Sequence, residues 1–212
     1  MRIVILGTGT DVGKTFVTTR LAAALRESGR RVLALKPVES GAPAGELGDA
    51  GRIAKAAGHE AVLSPWRYPR PVSPHLAARE TGRSIDVGEV AEWVVREEQS
   101  GRPDVTLVET AGAILSPLAA GRTNLDLAQA LGPAGWLVVA PDSLGVLHDL
   151  SASLRVLPRP PEAVVLSCAR PPDASSGSNA AELQALGICE IAAVFARNGG
   201  DPGPVLARLG AS

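Results

Sequence analysis

Aromatic residues are scarce in this chain. Three tryptophans, two phenylalanines and one tyrosine make up 3% of 212 residues, so large rings cannot fill the interior. The core is expected to be Ala, Val and Leu packed between layers. Lysine is scarcer still: Lys14, Lys36 and Lys55 are the whole complement, so the placement of each carries weight. Cysteine is limited to Cys168 and Cys189, too few for a disulfide framework and at no metal-ligand spacing, which points to a reducing cytosol. No basic run occurs and the formal net charge is −1, so neither nucleic acid nor an anionic membrane is an expected partner. No apolar run approaches the length of a membrane span. The run Ile3 to Leu6 stops at Gly7, too short for a signal core. The expectation is a soluble, cytoplasmic protein with one α/β domain over residues 1–212.

What the chain does contain is alternation. Apolar runs with β-branched residues predict strands at Arg2–Leu6, Arg31–Leu35, Val105–Val108, Trp136–Ala140, Ala163–Leu166 and Ile188–Phe195. Helical periodicity predicts helices at Thr15–Ser28, Asp49–Ala57, Asp86–Gln99, Asn124–Leu131, Val146–Leu157 and Asn179–Leu186. In Asp86–Gln99 the apolar stripe is Val87, Val90, Ala91, Val94 and Val95. Such alternation predicts a three-layer α/β fold, a mostly parallel sheet with helices on both faces. Pro37 to Gly48, rich in Gly, Pro and Ala, breaks the pattern after the second strand and is expected to face a ligand at the sheet's carboxyl edge. Residues 196–212, rich in Gly and Pro, are expected to be a partly ordered tail.

The most informative stretch is Gly7-Thr-Gly-Thr-Asp-Val-Gly-Lys-Thr15, between the first strand and first helix. Glycines let backbone N–H groups curl around phosphate oxygens, and the unpaired donors of the helix's first turn point at the same charge. Lys14 adds an ammonium for the β- and γ-phosphates, and the Thr15 hydroxyl can ligate Mg²⁺. The general phosphate-loop pattern places glycine at position 8, where this chain has Thr8; Gly7 makes the loop one residue longer.

Lys36 opens Lys36-Pro37-Val38-Glu39-Ser40-Gly41 at the second strand's tip, where an ammonium could neutralise a transferring phosphoryl group; the plain alternative is a solvated edge lysine. Mg²⁺ takes one or two protein carboxylates beside substrate phosphates. Glu109, after Val105–Val108, and Asp49, opening a helix, are candidates, although Asp49 also suits a first-turn acid. Asp11 has three open roles: metal ligand, phosphate cover or turn former. His59, His75 and His148 stand in no arrangement with Ser, Cys or Asp that spacing alone would make catalytic.

Taken together these residues resemble the dethiobiotin synthetase family, P-loop NTPase-like, Mg-ATP-dependent cyclo-ligases that close a ureido ring in biotin synthesis. The extended loop matches that family's Gly-Thr-x-Thr-x-Val-Gly-Lys-Thr, and Lys36-Pro37-Val38-x-Ser40-Gly41 matches its second motif. Asp49, Ser73-Pro74-His75, Glu109 and Leu144-Gly145 support the likeness, which spans roughly residues 2 to 150. The resemblance implies ATP binding by Thr10, Asp11, Val12, Gly13, Lys14, Thr15 and Phe16. It implies binding of 7,8-diaminononanoate by Thr10, Lys36, Ser40, Leu144, Gly145 and Leu147, the last three across a homodimer interface. Lys14 and Lys36 would be catalytic, Thr15, Asp49 and Glu109 would hold Mg²⁺, and CO₂ or bicarbonate would be the further substrate.

The chain departs from the family in three places. Glu109-Thr110-Ala111-Gly112-Ala113 replaces Glu-Gly-Ala-Gly-Gly, and the added side chains are expected to narrow the site. Leu144-Gly145-Val146-Leu147-His148-Asp149 ends differently from the usual Asn-His. Val165-Leu-Ser-Cys168 stands where an Asn-Asp pair often reads the base. These departures keep a second reading open: a diverged homologue acting on another amine or carboxylate, or a nucleotide binder without catalysis. A partitioning-type ATPase switch would need a lysine at position 9, which is Gly9, and a small-molecule kinase would need an arginine-rich lid that the chain lacks.

Overall fold

Residues 1–197 and 199–211 are described by a computed structural model. Its strands are β1 (Arg2–Gly7), β2 (Val32–Leu35), β3 (Val38–Ser40), β4 (Trp66–Tyr68), β5 (Val105–Glu109), β6 (Pro117–Ala119), β7 (Arg122–Thr123), β8 (Gly135–Pro141), β9 (Ala163–Ser167) and β10 (Ala193–Phe195). Its helices are α1 (Lys14–Glu27), α2 (Gly48–Ala57), α3 (Pro74–Thr81), α4 (Val87–Gly101), α5 (Asn124–Ala130), α6 (Val146–Arg155), α7 (Asn179–Ala185) and α8 (Gly203–Arg208). Six strands form one parallel sheet in the order β10-β9-β8-β1-β5-β2. Ile3 of β1 lies opposite Leu107 of β5 on one side and Gly135 of β8 on the other.

The apolar runs are continuous because both sheet faces are covered. Ile3 and Ile5 face one helical layer with Val17, Leu21 and Leu25 of α1, while Val4 and Leu6 face the other with Val90 and Val94 of α4. This is the expected three-layer arrangement. Strand order reverses on either side of β1, and crevices for ligands open at the carboxyl ends of strands at such a switch point. The ends of β1, β2 and β5 therefore meet at one edge.

Several details differ from expectation. Five of the six aromatics (Trp66, Tyr68, Trp93, Trp136 and Phe195) are buried, so the core is aliphatic with a few rings set into it. In α4, Trp93 is buried and Val95 is 37% exposed, which shifts the inward stripe away from Val95. The strand expected at Ile188–Phe195 is reduced to Ala193–Phe195. Ile188 and Ile191 instead pack into the helical layer, and pairing to β9 begins with the Ala192 amide on Val164. The result is a short sheet edge, which limits pairing with other chains.

The segment expected to be a partly ordered tail carries α8. Its Val205 and Leu206, followed by Leu209 and Ala211, are buried against the face that holds Ile3 and Ile5. Burial of each larger side chain is worth about 1.5–3 kcal/mol, which tertiary packing supplies and local composition does not reveal. Among the described residues no helix is long and apolar enough to cross a membrane.

Candidate active site

The phosphate loop is shaped by two glycines. Gly13 has φ of 92°, and a Cβ there would stand 2.0 Å from the Ser167 hydroxyl oxygen. As the residue before α1 it turns the chain so that the helix's first amides face outward; the first intrahelical bond runs from the Val17 amide to the Gly13 carbonyl. Gly7 has a different reason. A Cβ at that position would meet the Lys14 stem at 2.9 Å, so the displaced glycine is the floor on which Lys14 lies. Thr8, at the position where the general motif has glycine, donates its amide to Val139 and continues the sheet. Asp11 has φ of 54°, and this left-handed backbone supports its role as a turn former.

Sheet register brings distant residues together. Lys36 follows β2 and Glu109 ends β5, and these strands are neighbours. The Lys36 ammonium donates to Glu109 Oε1 at 2.9 Å and to Asp49 Oδ2 at 2.5 Å. The Thr15 hydroxyl donates to the same Glu109 Oε1 at 2.6 Å. Arg52, one turn along α2, pairs with the other Asp49 oxygen at 3.0 Å from the solvent side. Burial pushes the Lys36 pKa down, but attraction to Glu109 and then Asp49, with hydrogen bonds to both, overrides it and raises the value. Burial likewise pushes Asp49 up, and the Lys36 charge and hydrogen bond outweigh it and lower the value.

Lys14 behaves differently. Its ammonium donates to the Gly9 carbonyl at 2.8 Å and forms no ion pair among the described residues. Desolvation lowers its pKa to about 8, against the pull of Glu109, with repulsion from Lys36 adding to the decrease. A triphosphate in the loop would supply the missing anion and raise that value. Below about pH 8 the lysine is already charged, and binding needs no proton. Above it, binding must first restore one, so nucleotide affinity is expected to fall by up to about tenfold per pH unit until the raised pKa of the complex is reached. Calorimetry from pH 7 to 10 in buffers of different ionisation enthalpy checks this through proton uptake. A flat affinity over that range contradicts it.

These groups line a cleft of about 580 Å³ with Thr10, Asp11, Gly13, Lys14, Thr15, Lys36, Ser40, Asp49 and Glu109 all on its wall. The Pro37–Gly48 stretch partly meets its expectation: β3 occupies its start, and Ser40 and Gly41 face the cleft. Val12 lies in the core, and Phe16 packs beside it beneath the Arg20 guanidinium. Leu144, Gly145 and Leu147 lie apart from the cleft. Leu144 is 82% exposed with its amide held by Asp173, and Leu147 packs on the core. Sequence reasoning missed Ser116 and Arg52 on the wall. Arg52 had a detectable signal, since it falls one turn after Asp49 on the same helix.

The expected narrowing by Thr110 and Ala113 does not occur. Thr110 turns inward, its hydroxyl donating to the Ile5 carbonyl at 2.9 Å, and neither residue lines the cleft. Gly112 keeps φ of 81°, where a Cβ would stand 2.7 Å from the Ser116 hydroxyl. Asn124, fully buried at the start of α5, donates to the carbonyls of Ala111 and Ala113 and holds this loop in place.

The donor set suits a hard divalent cation. Glu109 Oε2 is buried without a hydrogen-bond partner among the described residues, beside the Thr15 hydroxyl and, through their shared Lys36 contact, near the Asp49 carboxylate. No cluster of three or more His, Cys, Asp or Glu occurs among the described residues. Two carboxylates and one hydroxyl could hold Mg²⁺, which takes one or two carboxylates from protein beside substrate phosphates.

Known proteins resemble this chain over most of its length. A family model described as an AAA domain matches residues 1–209. The chain is 43% identical over 172 residues to an ATP-dependent dethiobiotin synthetase of Rhodococcus jostii, covering 79% of this chain and 70% of that protein. It is 36% identical to the synthetase of Streptomyces avermitilis, covering 99% of this chain and 89% of that protein. Among solved structures, the signal recognition particle receptor FtsY of Elizabethkingia anophelis in complex with GDP superposes with a TM-score of 0.61 at 16% identity. That match covers 92% of this chain and 56% of the receptor chain, and it speaks for the fold alone.

Proposed function

Because the chain belongs to the ATP-dependent dethiobiotin synthetase family, we propose that its cleft forms dethiobiotin from 7,8-diaminononanoate, CO₂ and ATP. The observation that carries this reading is the convergence of Lys14 and Lys36 with Thr15, Asp49 and Glu109 at one sheet edge. An amine of the substrate adds to CO₂ and loses a proton, giving a carbamate. The carbamate oxygen then attacks the γ-phosphorus; the bond to the bridging oxygen breaks and ADP leaves. The second amine attacks the carbonyl carbon of the resulting carbamic–phosphoric anhydride, phosphate departs, and the cyclic urea closes.

Two anions must meet in the phosphoryl-transfer step, so positive charge has to be concentrated there. Lys14 sits in the loop for the β- and γ-phosphates, and Lys36 stands across the cleft for the carbamate and the transferred group. Thr15, Asp49 and Glu109 would hold Mg²⁺, which would neutralise phosphate charge when bound. Ser40 and Thr10 would orient the diamine by hydrogen bonds. No protein nucleophile is required, and positioning and electrostatics carry the rate. Leu144, Gly145 and Leu147, remote from the cleft of their own chain, suit contact with the substrate of a second copy in a homodimer. Two unpaired cysteines fit a cytoplasmic setting.

The His148-Asp149 ending of that loop is the observation behind the second reading, a homologue that takes another amine or carboxylate. Phosphate release from ATP separates the two. Release that requires both diaminononanoate and bicarbonate, with dethiobiotin formed in equal amount, is the expected result. Release that ignores either substrate, or none at all, sinks the synthetase reading.

A further inference from the structure

Glu39 takes no part in the chemistry above, yet it is charged and only 3% exposed. It lies in the middle of β3, where its neighbour across the parallel pairing to β4 is Arg67. The Arg67 guanidinium reaches Glu39 Oε2 at 3.1 Å, and its second nitrogen donates to the Glu46 carbonyl at 2.7 Å. The other carboxylate oxygen, Glu39 Oε1, accepts the backbone N–H of Asp49 at 2.6 Å. That amide belongs to the first turn of α2, where N–H groups have no partner within the helix. Leu47, the residue before the helix, supplies no side-chain cap. Gly48 makes room: its φ is 60°, and a Cβ there would stand 2.4 Å from Glu39 Oε1.

We propose that Glu39, anchored by Arg67, is a positioning residue that aims the Asp49 carboxylate into the cleft. A carboxylate at a helix start stabilises the helix in any case. What sets this one apart is the residue whose amide it holds. Asp49 is contested by two cations, Lys36 inside the cleft and Arg52 in solvent. With its amide pinned by Glu39, one carboxylate oxygen stays on Lys36. With the pin removed the first turn of α2 loosens, and Arg52, which carries no burial cost, draws the carboxylate outward. The Arg67 contact to Glu46 ties down the loop before α2 by the same device, so both approaches to Asp49 depend on one buried ion pair.

The inference rests on Asp49 being a ligand of the divalent cation, and the test separates the two claims. Mg²⁺ is titrated by calorimetry into the full chain saturated with a non-hydrolysable ATP analogue, and melting temperature is recorded alongside. Glu39→Ala is expected to weaken the metal midpoint by about 10- to 100-fold, the range typical of groups that orient metal ligands. Lowered melting temperature with an unchanged midpoint in folded Glu39→Ala makes Glu39 a helix cap only and overturns the proposal. Should Glu39→Ala fail to fold, the paired change Glu39→Leu with Arg67→Met replaces the buried ion pair by apolar volume, and its midpoint is read by the same criterion. Asp49→Ala is the control. If it shifts the midpoint and the Glu39 variants do not, the positioning role alone falls; if it does not shift the midpoint, the metal assignment falls with it.

Discussion

Replacing Lys36 by alanine is expected to abolish turnover and also to destabilise the nucleotide-free protein. The ammonium bridges Glu109, which is fully buried, and Asp49. Removing it leaves two carboxylates facing each other without the ammonium that bridges them, and breaking a buried pair from one side costs about 3–5 kcal/mol. For a chain of this size that is a melting-temperature drop on the order of 10 °C. From sequence alone Lys36 reads as a charge-neutralising group at a strand tip, and the buried pairing gives it a structural role as well. Mg²⁺ with nucleotide should restore part of the lost stability, because the same two carboxylates then have a cation. On the rate side, a unit charge about 4 Å from the transferring phosphoryl group is worth about 4 kcal/mol at an effective dielectric near 20. That corresponds to roughly a thousandfold in turnover. Differential scanning fluorimetry with and without Mg²⁺-nucleotide, together with single-turnover phosphate release, reads both effects. Unchanged melting with lost activity would remove the structural half of the argument, and full activity would remove the catalytic half.

Lys14→Ala should behave in the opposite way with respect to stability. Its ammonium has one carbonyl partner, and its lowered pKa shows that holding the charge in the free protein is unfavourable. The sign follows from linkage. The folded pKa of about 8 lies below the ordinary lysine value of 10.5, so the unfolded chain binds more protons between those values. This group therefore makes the wild-type protein more stable as pH rises from 8 towards 10, and the alanine variant lacks that rise. At neutral pH the variant loses the stem packed over Gly7 but is relieved of a buried charge, so melting should change by only a few degrees. Turnover should still fall by about a thousandfold or more, because the ammonium assigned to the β- and γ-phosphates is gone. Melting curves at pH 7 and 9 for both proteins, with phosphate-release kinetics, check the pair of effects. A melting-temperature loss comparable to that of Lys36→Ala would contradict the assignment of roles.

Features encoded by contiguous residues could be read directly from the chain. Gly7 to Thr15 specifies its loop because backbone conformation, the helix start and the lysine all lie within nine residues. Strand and helix alternation was legible because burial on both faces of a sheet imposes continuous apolar runs, while a helix with one covered face imposes a stripe. Tertiary structure alone decided the rest. Lys36 and Glu109 are 73 positions apart and meet because β2 and β5 pair in one register. The inward turn of Thr110 depends on the Ile5 carbonyl, 105 residues away, and the burial of α8 depends on a sheet face built mostly by earlier strands. Glu39 looked like a spacer within its motif, since its partners Arg67 and Asp49 come from two other elements. Local periodicity carries no information about which distant group will satisfy a buried charge, and that pairing is set only when the layers close.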